Sequence, residues 1–196
     1  YKRQLTPAEL SQLRSLVGEL SWPTRECFPE FCYDVSDLQQ RIPEATVSTI
    51  IRANSTLRDL VRRSEQVAMK FIRGDGSGRL SAGLYTDASF DRQPRGGSQQ
   101  AYLVLLGDRR MVFDDRFPAC PIAWSSTKIH RVVRSTLAAE AAALSTGYDQ
   151  LVYVRAIVAY LMYNWTGDWM ADVRQVESVA WTDCKSLHDC LHKEGS

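Results

Sequence analysis

Leu80-Ser81-Ala82-Gly83-Leu84-Tyr85-Thr86-Asp87-Ala88-Ser89 is an apolar run closing on an aromatic-Thr-Asp triplet, and the triplet returns near the other end of the chain as Trp181-Thr182-Asp183. Each triplet ends a short apolar run and precedes small or polar residues. If the two runs are parallel neighbours in one sheet, both acids leave it at the same edge, where like charges repel unless a cation lies between them. Two carboxylates at two strand ends therefore point to a metal site.

Around these runs the texture is that of an α/β chain. Strands are expected over 80–90, 101–106 and 121–125, the first two separated by the turn-rich 92–98. A helix is expected over 135–164, Ala-rich at first, then a short strand over 177–181 and a helix over 185–192. Three strands, helix, strand, helix leaves the late strand free to pair in parallel beside the first. The first 70 or so residues read as helical instead. Thr6-Pro7-Ala8-Glu9 is a capping box with Pro at the first helical position, and Leu10, Leu13, Leu16, Val17 and Leu20 recur at helical spacing, giving a helix over 7–20. A loop is expected around Trp22-Pro23-Thr24-Arg25, a second helix near 30–40 and a third over 43–66, with Val47, Ile50, Ile51, Leu57, Leu60 and Val61 as its buried stripe. Arg52, Arg58, Arg62 and Arg63 lie mostly off that stripe, solvated or set against a nucleic-acid backbone. Three glycines within Gly74-Asp75-Gly76-Ser77-Gly78 mark the boundary between the two textures.

A third acid lies in the long helix. Leu137, Ala141, Leu144, Tyr148 and Leu151 form one stripe, and at 100° per residue Glu140 falls within its arc. A carboxylate facing the sheet needs a cation or a hydrogen-bond partner, since an unpaired buried charge costs several kcal/mol or shifts its protonation. A tilted helix that lets Glu140 reach water is the alternative. The neighbouring alanines favour close approach to the sheet, within reach of Asp87 and Asp183. Three carboxylates are hard oxygen ligands, suited to Mg²⁺ or Mn²⁺ rather than Zn²⁺. Two such ions about 4 Å apart can activate a water and stabilise the leaving oxygen in phosphodiester cleavage. Cys184, His188 and His192 follow at i, i+4 spacing, as a metal triad or as one face of an ordinary helix.

At 196 residues and 44% apolar content the chain suits one ordinary domain, or a small domain with an appended segment. No run approaches the length of a membrane span and the start lacks a hydrophobic signal core, so a protein that is not secreted is expected. The start without Met suggests an excised fragment. Five cysteines with no CxxC pair fit a reducing compartment. Net charge is +1, but residues 92–134 hold eight Arg or Lys against three acids, and from 135 onward four bases stand against eight acids. Such a split suits a phosphodiester-cutting site, one part holding backbone and the other cations, although a solvated hairpin surface explains any single Arg equally well.

The segments Leu84-Tyr85-Thr86-Asp87-Ala88-Ser89, Pro121-Ile122-Ala123-Trp124-Ser125-Ser126, Arg134-Ser135-Thr136-Leu137-Ala138-Ala139-Glu140 and Trp181-Thr182-Asp183-Cys184-Lys185-Ser186-Leu187 resemble, in this order, the ribonuclease H domain of copia-type long-terminal-repeat retrotransposon polyproteins. Arg14-Ser15-Leu16-Val17-Gly18-Glu19-Leu20-Ser21-Trp22 resembles the end of the reverse transcriptase just upstream. The resemblance implies three parts: residues 1–73 as that helical end, 74–79 as a linker, and 80–196 as a C-terminally truncated ribonuclease H-like domain. It implies that Asp87, Glu140 and Asp183 are catalytic metal ligands, with Asp87 bridging two ions, for cutting the RNA strand of RNA/DNA hybrids and leaving a 3′ hydroxyl. Arg92, Arg95, Lys128, Arg131 and Arg134 would help track the hybrid, beside an upstream polymerase domain, in cytoplasmic virus-like particles, in the nucleus, or both. The family carries a fourth acid after a fifth strand, which this sequence does not reach; Asp189 and Glu194 are weaker substitutes. The segment from Asp108 to Pro118 is longer than the family's usual turn. A catalytically inactive scaffold that binds nucleic acid or protein, or a fragment that supports the fold of a larger polymerase, are the competing expectations.

Overall fold

In chain order the computed structural model carries α1 (Pro7–Glu26), α2 (Cys32–Arg41), α3 (Val47–Gln66), β1 (Leu80–Ser89), β2 (Gln99–Asp108), the short α4 (Arg110–Phe113), β3 (Ala119–Lys128), α5 (Thr136–Met162), α6 (Trp169–Arg174), β4 (Glu177–Trp181) and α7 (Lys185–His192). The structure describes residues 1–66, 69–71, 73, 78–91, 96–114 and 116–193. The glycine-rich boundary at 74–77 lies outside the described residues.

The strands form one mixed sheet in the order β3-β2-β1-β4, with β1 central, antiparallel to β2 and parallel to β4. This is the α/β, ribonuclease H-like arrangement expected from the sequence, a three-strand antiparallel meander with a fourth strand added in parallel. The meander strands are longer than the apolar runs alone indicate, because β2 starts at Gln99 and β3 continues to Lys128, polar residues paired directly with each other. Pro121, which has no N–H to give, is accommodated on the edge strand β3 next to a register irregularity at Val104/Leu105. The extra length after β2 is folded into α4, whose Met111 is fully buried.

One face of the sheet is covered by α5. Ala82, Leu84 and Val104 pack there with Leu151, Val154 and Val158 of the helix. The buried face of α5 is Ala139, Glu140, Ala143, Gly147, Leu151, Val154, Val158 and Ala159, which corrects the expected stripe. Glu140 and Leu151 belong to it, but Leu137, Ala141 and Tyr148 are exposed. Close packing is the reason: a Cβ on Gly147 would meet Thr86 Cγ2 at 2.8 Å, Leu84 Cδ1 at 2.9 Å and Tyr102 Cβ at 3.0 Å. Small residues therefore turn to the sheet, and the bulkier ones are rotated outward.

The opposite face meets the N-terminal helices, which share an apolar cluster of Leu13, Val17, Leu20, Val35, Leu38, Ala45, Ala53 and Leu60. The capping box forms as expected, with Thr6 Oγ1 accepting from the Glu9 amide and Glu9 accepting from the Thr6 amide at 2.8 Å. α1 runs past the expected loop to Glu26, through Pro23, with Thr24 Oγ1 donating back to the Leu20 carbonyl at 3.0 Å. The expected stripe on α3 is also corrected. Ile51, Leu57 and Val61 are exposed, whereas Thr49, Ala53, Thr56 and Leu60 face inward. The α2–α3 contact is set partly by charge, since Arg52 reaches Asp34 at 3.2 Å and the buried Asp37 at 2.8 Å, and Arg41 reaches Asp37 at 2.6 Å. Arg63 pairs with Glu30 and Arg62 with Asp59. Polar contacts link this segment to the sheet: the Trp124 indole donates to the Thr24 carbonyl at 2.8 Å, and the Gln99 amide donates to Ser36 Oγ at 3.0 Å.

Gly147 lies mid-helix, where glycine costs up to about 1 kcal/mol relative to alanine. Gly147→Val is expected to lower unfolding stability by about 1–3 kcal/mol in urea denaturation despite its better helix propensity, because the overpacking strain against β1 and β2 exceeds the propensity gain.

Candidate metal centre

The parallel register pairs Tyr85 with Trp181, so the two aromatic-Thr-Asp triplets begin side by side, one within β1 and the other at the last residue of β4. Their local structures differ. β1 continues to Ser89, and Thr86 is buried under α5, where its Oγ1 has no hydrogen-bond partner. β4 stops at Trp181, and Thr182 Oγ1 accepts from the Cys184 amide at 3.1 Å, turning the chain into α7. Both aspartates are nevertheless presented at the same end of the sheet.

Glu140 arrives from α5 at this end. Ser135 caps the helix, its side chain accepting from the Ala138 amide at 3.1 Å, and Glu140 follows little more than a turn later on the buried face. One carboxylate oxygen from each of Asp87, Glu140 and Asp183 lies within 4.8 Å of the others. The two aspartates are exposed, while Glu140 is only 5% exposed and its Oε2 is buried without a hydrogen-bond partner. Burial pushes the Glu140 carboxyl above the ordinary carboxylate range, the charges of Asp87 and Asp183 push it further, and the Ala88 backbone opposes them.

These residues fit a hard divalent cation. The donors are all carboxylate oxygens, the charges converge, and the buried Glu140 oxygen has an unused lone pair. Among the described residues this is the one group of three or more His, Cys, Asp or Glu whose ligand atoms converge. Cys184, His188 and His192 do not converge in this way. The two imidazoles stack at 4.2 Å on an exposed helix face, and His192 Nδ1 lies 2.9 Å from the His188 carbonyl. Asp189 sits beside His188 at 3.5 Å and is not in the acid group; Glu194 lies outside the described residues.

The expected nucleic-acid residues divide. Arg92 and Arg95 lie outside the described residues. Lys128 ends β3 at the same sheet end as the acids, where it donates to the Gly96 carbonyl at 2.9 Å. Arg131 and Arg134 are exposed in the connection from β3 to α5, just ahead of Glu140. Arg109 and Arg110 follow the far end of β2 and pair with Glu177 and Asp108.

The aromatic members of the triplets have a role that the carboxylates obscured. Tyr85 stacks on Trp181 at 4.5 Å and 18°, and Phe117 continues the row at 5.5 Å and 10°. Trp181 lies flat across Gly83, where a Cβ would come within 2.5 Å of the indole. Together with Tyr33, Leu103 and Trp124, the rings of Tyr85 and Trp181 line a cleft of about 770 Å³ that also includes Asp87 and Asp183. The period-2 alternation of β1 was the available signal, since Tyr85 and Asp87 share a face.

Comparison with protein-family models and with curated proteins finds no match for this chain.

Without metal, Glu140→Gln is expected to stabilise the protein at neutral pH, by an amount of the order of 1 kcal/mol, because it removes a buried charge. The sign follows from linkage. A carboxyl whose folded pKa is raised binds its proton more tightly when folded, so the wild type loses stability as pH rises from the unfolded value near 4.5 through the raised folded value. The variant's advantage should therefore vanish below about pH 4, as thermal melts across pH will show.

Proposed function

We propose that this chain is a divalent-metal-dependent nuclease of the ribonuclease H kind, cutting the RNA strand of RNA/DNA hybrids as part of a retrotransposon reverse transcriptase polyprotein. The observation that carries this reading is the convergence of Asp87 and Asp183, from adjacent parallel strands, on the buried and unpartnered oxygen of Glu140. Asp87, Glu140 and Asp183 would hold Mg²⁺ or Mn²⁺. When bound, such ions supply Lewis-acid activation of the phosphodiester and of the attacking water.

The protein's own contribution is positional. Glu140, fixed between α5 and the sheet, forms an immobile wall of the site, while the exposed aspartates leave an open side for a nucleic-acid backbone. Lys128, Arg131 and Arg134 place positive charge at the same end of the sheet, suited to holding phosphates on either side of the acids. Nothing in this set reads base edges. Selection for a hybrid would rest on groove shape and 2′-hydroxyls. A polyprotein of this kind would act beside its polymerase domain, in cytoplasmic particles, in the nucleus, or both.

With Mg²⁺ or Mn²⁺ and a labelled hybrid, Asp87→Asn and Glu140→Gln should each reduce cleavage by at least about 100-fold, the loss expected when several kcal/mol of charge stabilisation is removed. Cleavage equal to wild type would sink the assignment. Ion binding that the variants abolish, with no wild-type cleavage, would instead indicate a metal-binding scaffold. Arg131→Ala and Arg134→Ala should weaken hybrid binding and each lower the salt slope by about 1.

A further inference from the structure

The C-terminal half of α5 presents a second apolar stripe, turned away from the sheet. Tyr153, Ile157, Tyr160 and Leu161 are spaced along one helical face and are 62, 41, 65 and 69% exposed. Trp165, in the loop that follows, meets Tyr160 edge-on at 5.8 Å, and Trp169 opens α6, which packs on α5. The loop is held in place. The buried Asp172 accepts from the Thr166 amide at 3.0 Å, the Thr166 hydroxyl at 2.9 Å, the Gly167 amide at 3.1 Å and the Gln175 side chain at 3.2 Å. The aromatic surface is thus preformed, and binding would carry little ordering cost.

We propose that this surface joins two copies of the chain about a two-fold axis, with the outer face of α5 packed against its counterpart. Composition and charge select that occupant. From Tyr148 to Met170 the one basic residue is Arg155, and its guanidinium donates to the Val176 carbonyl at 3.0 Å. The surface therefore lacks the cations that an anionic lipid or a nucleic-acid backbone requires. The acids of this span, Asp149 and Asp168, are exposed at the two ends of the patch, so a two-fold pairing places the Tyr, Trp and Leu side chains against their counterparts and keeps both acids at the solvated rim. Its size is also sufficient. With its aromatic side chains spanning about 150–250 Å² each and Ile157 and Leu161 somewhat less, the exposed parts offer at most roughly 700 Å² per copy, close to the ~800 Å² per partner of a standard specific interface.

The pairing leaves the acid cluster free, because Ile157 lies roughly 25 Å further along the axis of α5 than Glu140. Its failure and that of the nuclease reading are therefore separable. Sedimentation velocity on the whole chain, from low to about 100 µM, should show a monomer–dimer equilibrium. Leu161→Glu and Tyr153→Lys, both at exposed positions, should weaken it at least ~30-fold, with thermal melts and Mn²⁺ binding unchanged. A wild-type chain that remains monomeric throughout, a dimer indifferent to both substitutions, or open-ended association without a discrete dimer would overturn the proposal.

Discussion

The pairing of Tyr85 with Trp181 across β1 and β4 is the constraint on which the rest of the molecule depends. Parallel strands require a long crossover, and here α5 and α6 provide it, covering one face of the sheet on the way. The register aligns two triplets far apart in sequence, stacks their aromatic rings with Trp181 over Gly83, and delivers both aspartates to one end. A one-residue slip would place the two triplets on opposite faces and separate the acids.

Electrostatics then makes this end of the sheet the least comfortable part of the fold. Three carboxylates converge, one of them buried with an unpartnered oxygen, while elsewhere the buried acids are paired. Asp37 is met by Arg41 and Arg52, Asp108 by Arg110, and Asp172 by backbone amides and a hydroxyl. The same chain thus satisfies its structural carboxylates and leaves one oxygen of Glu140 without a partner. Strain of this kind is expected where a ligand completes the site.

Much of the architecture was legible because its signals are local. The capping box starts α1 at Pro7, apolar runs mark the strands, and β4 and α7 fall within their expected bounds. What misled was the assumption that large side chains point inward. On α5 the true inner face is built from Ala139, Ala143 and Gly147, because the backbone approaches too closely for Leu137 or Tyr148. On α3 the inward positions include Thr49 and Thr56, while Ile51, Leu57 and Val61 remain outside. The helix through Pro23 was obscured for a related reason: Thr24 supplies a local hydrogen bond to the Leu20 carbonyl, and the turn packs against the sheet.

The sequence by itself marked the three candidate acids and the order of the elements that carry them, and left the last strand free to pair in parallel, since triplet repetition and hydrophobic period are properties of the chain. Only the tertiary structure decided how close the acids come, that Glu140 is buried while its partners are exposed, and which face of α5 remains open to solvent. Distance and burial depend on packing between segments remote in sequence. One glycine at the helix–sheet contact, invisible to periodicity, sets how near α5 comes to β1 and β2.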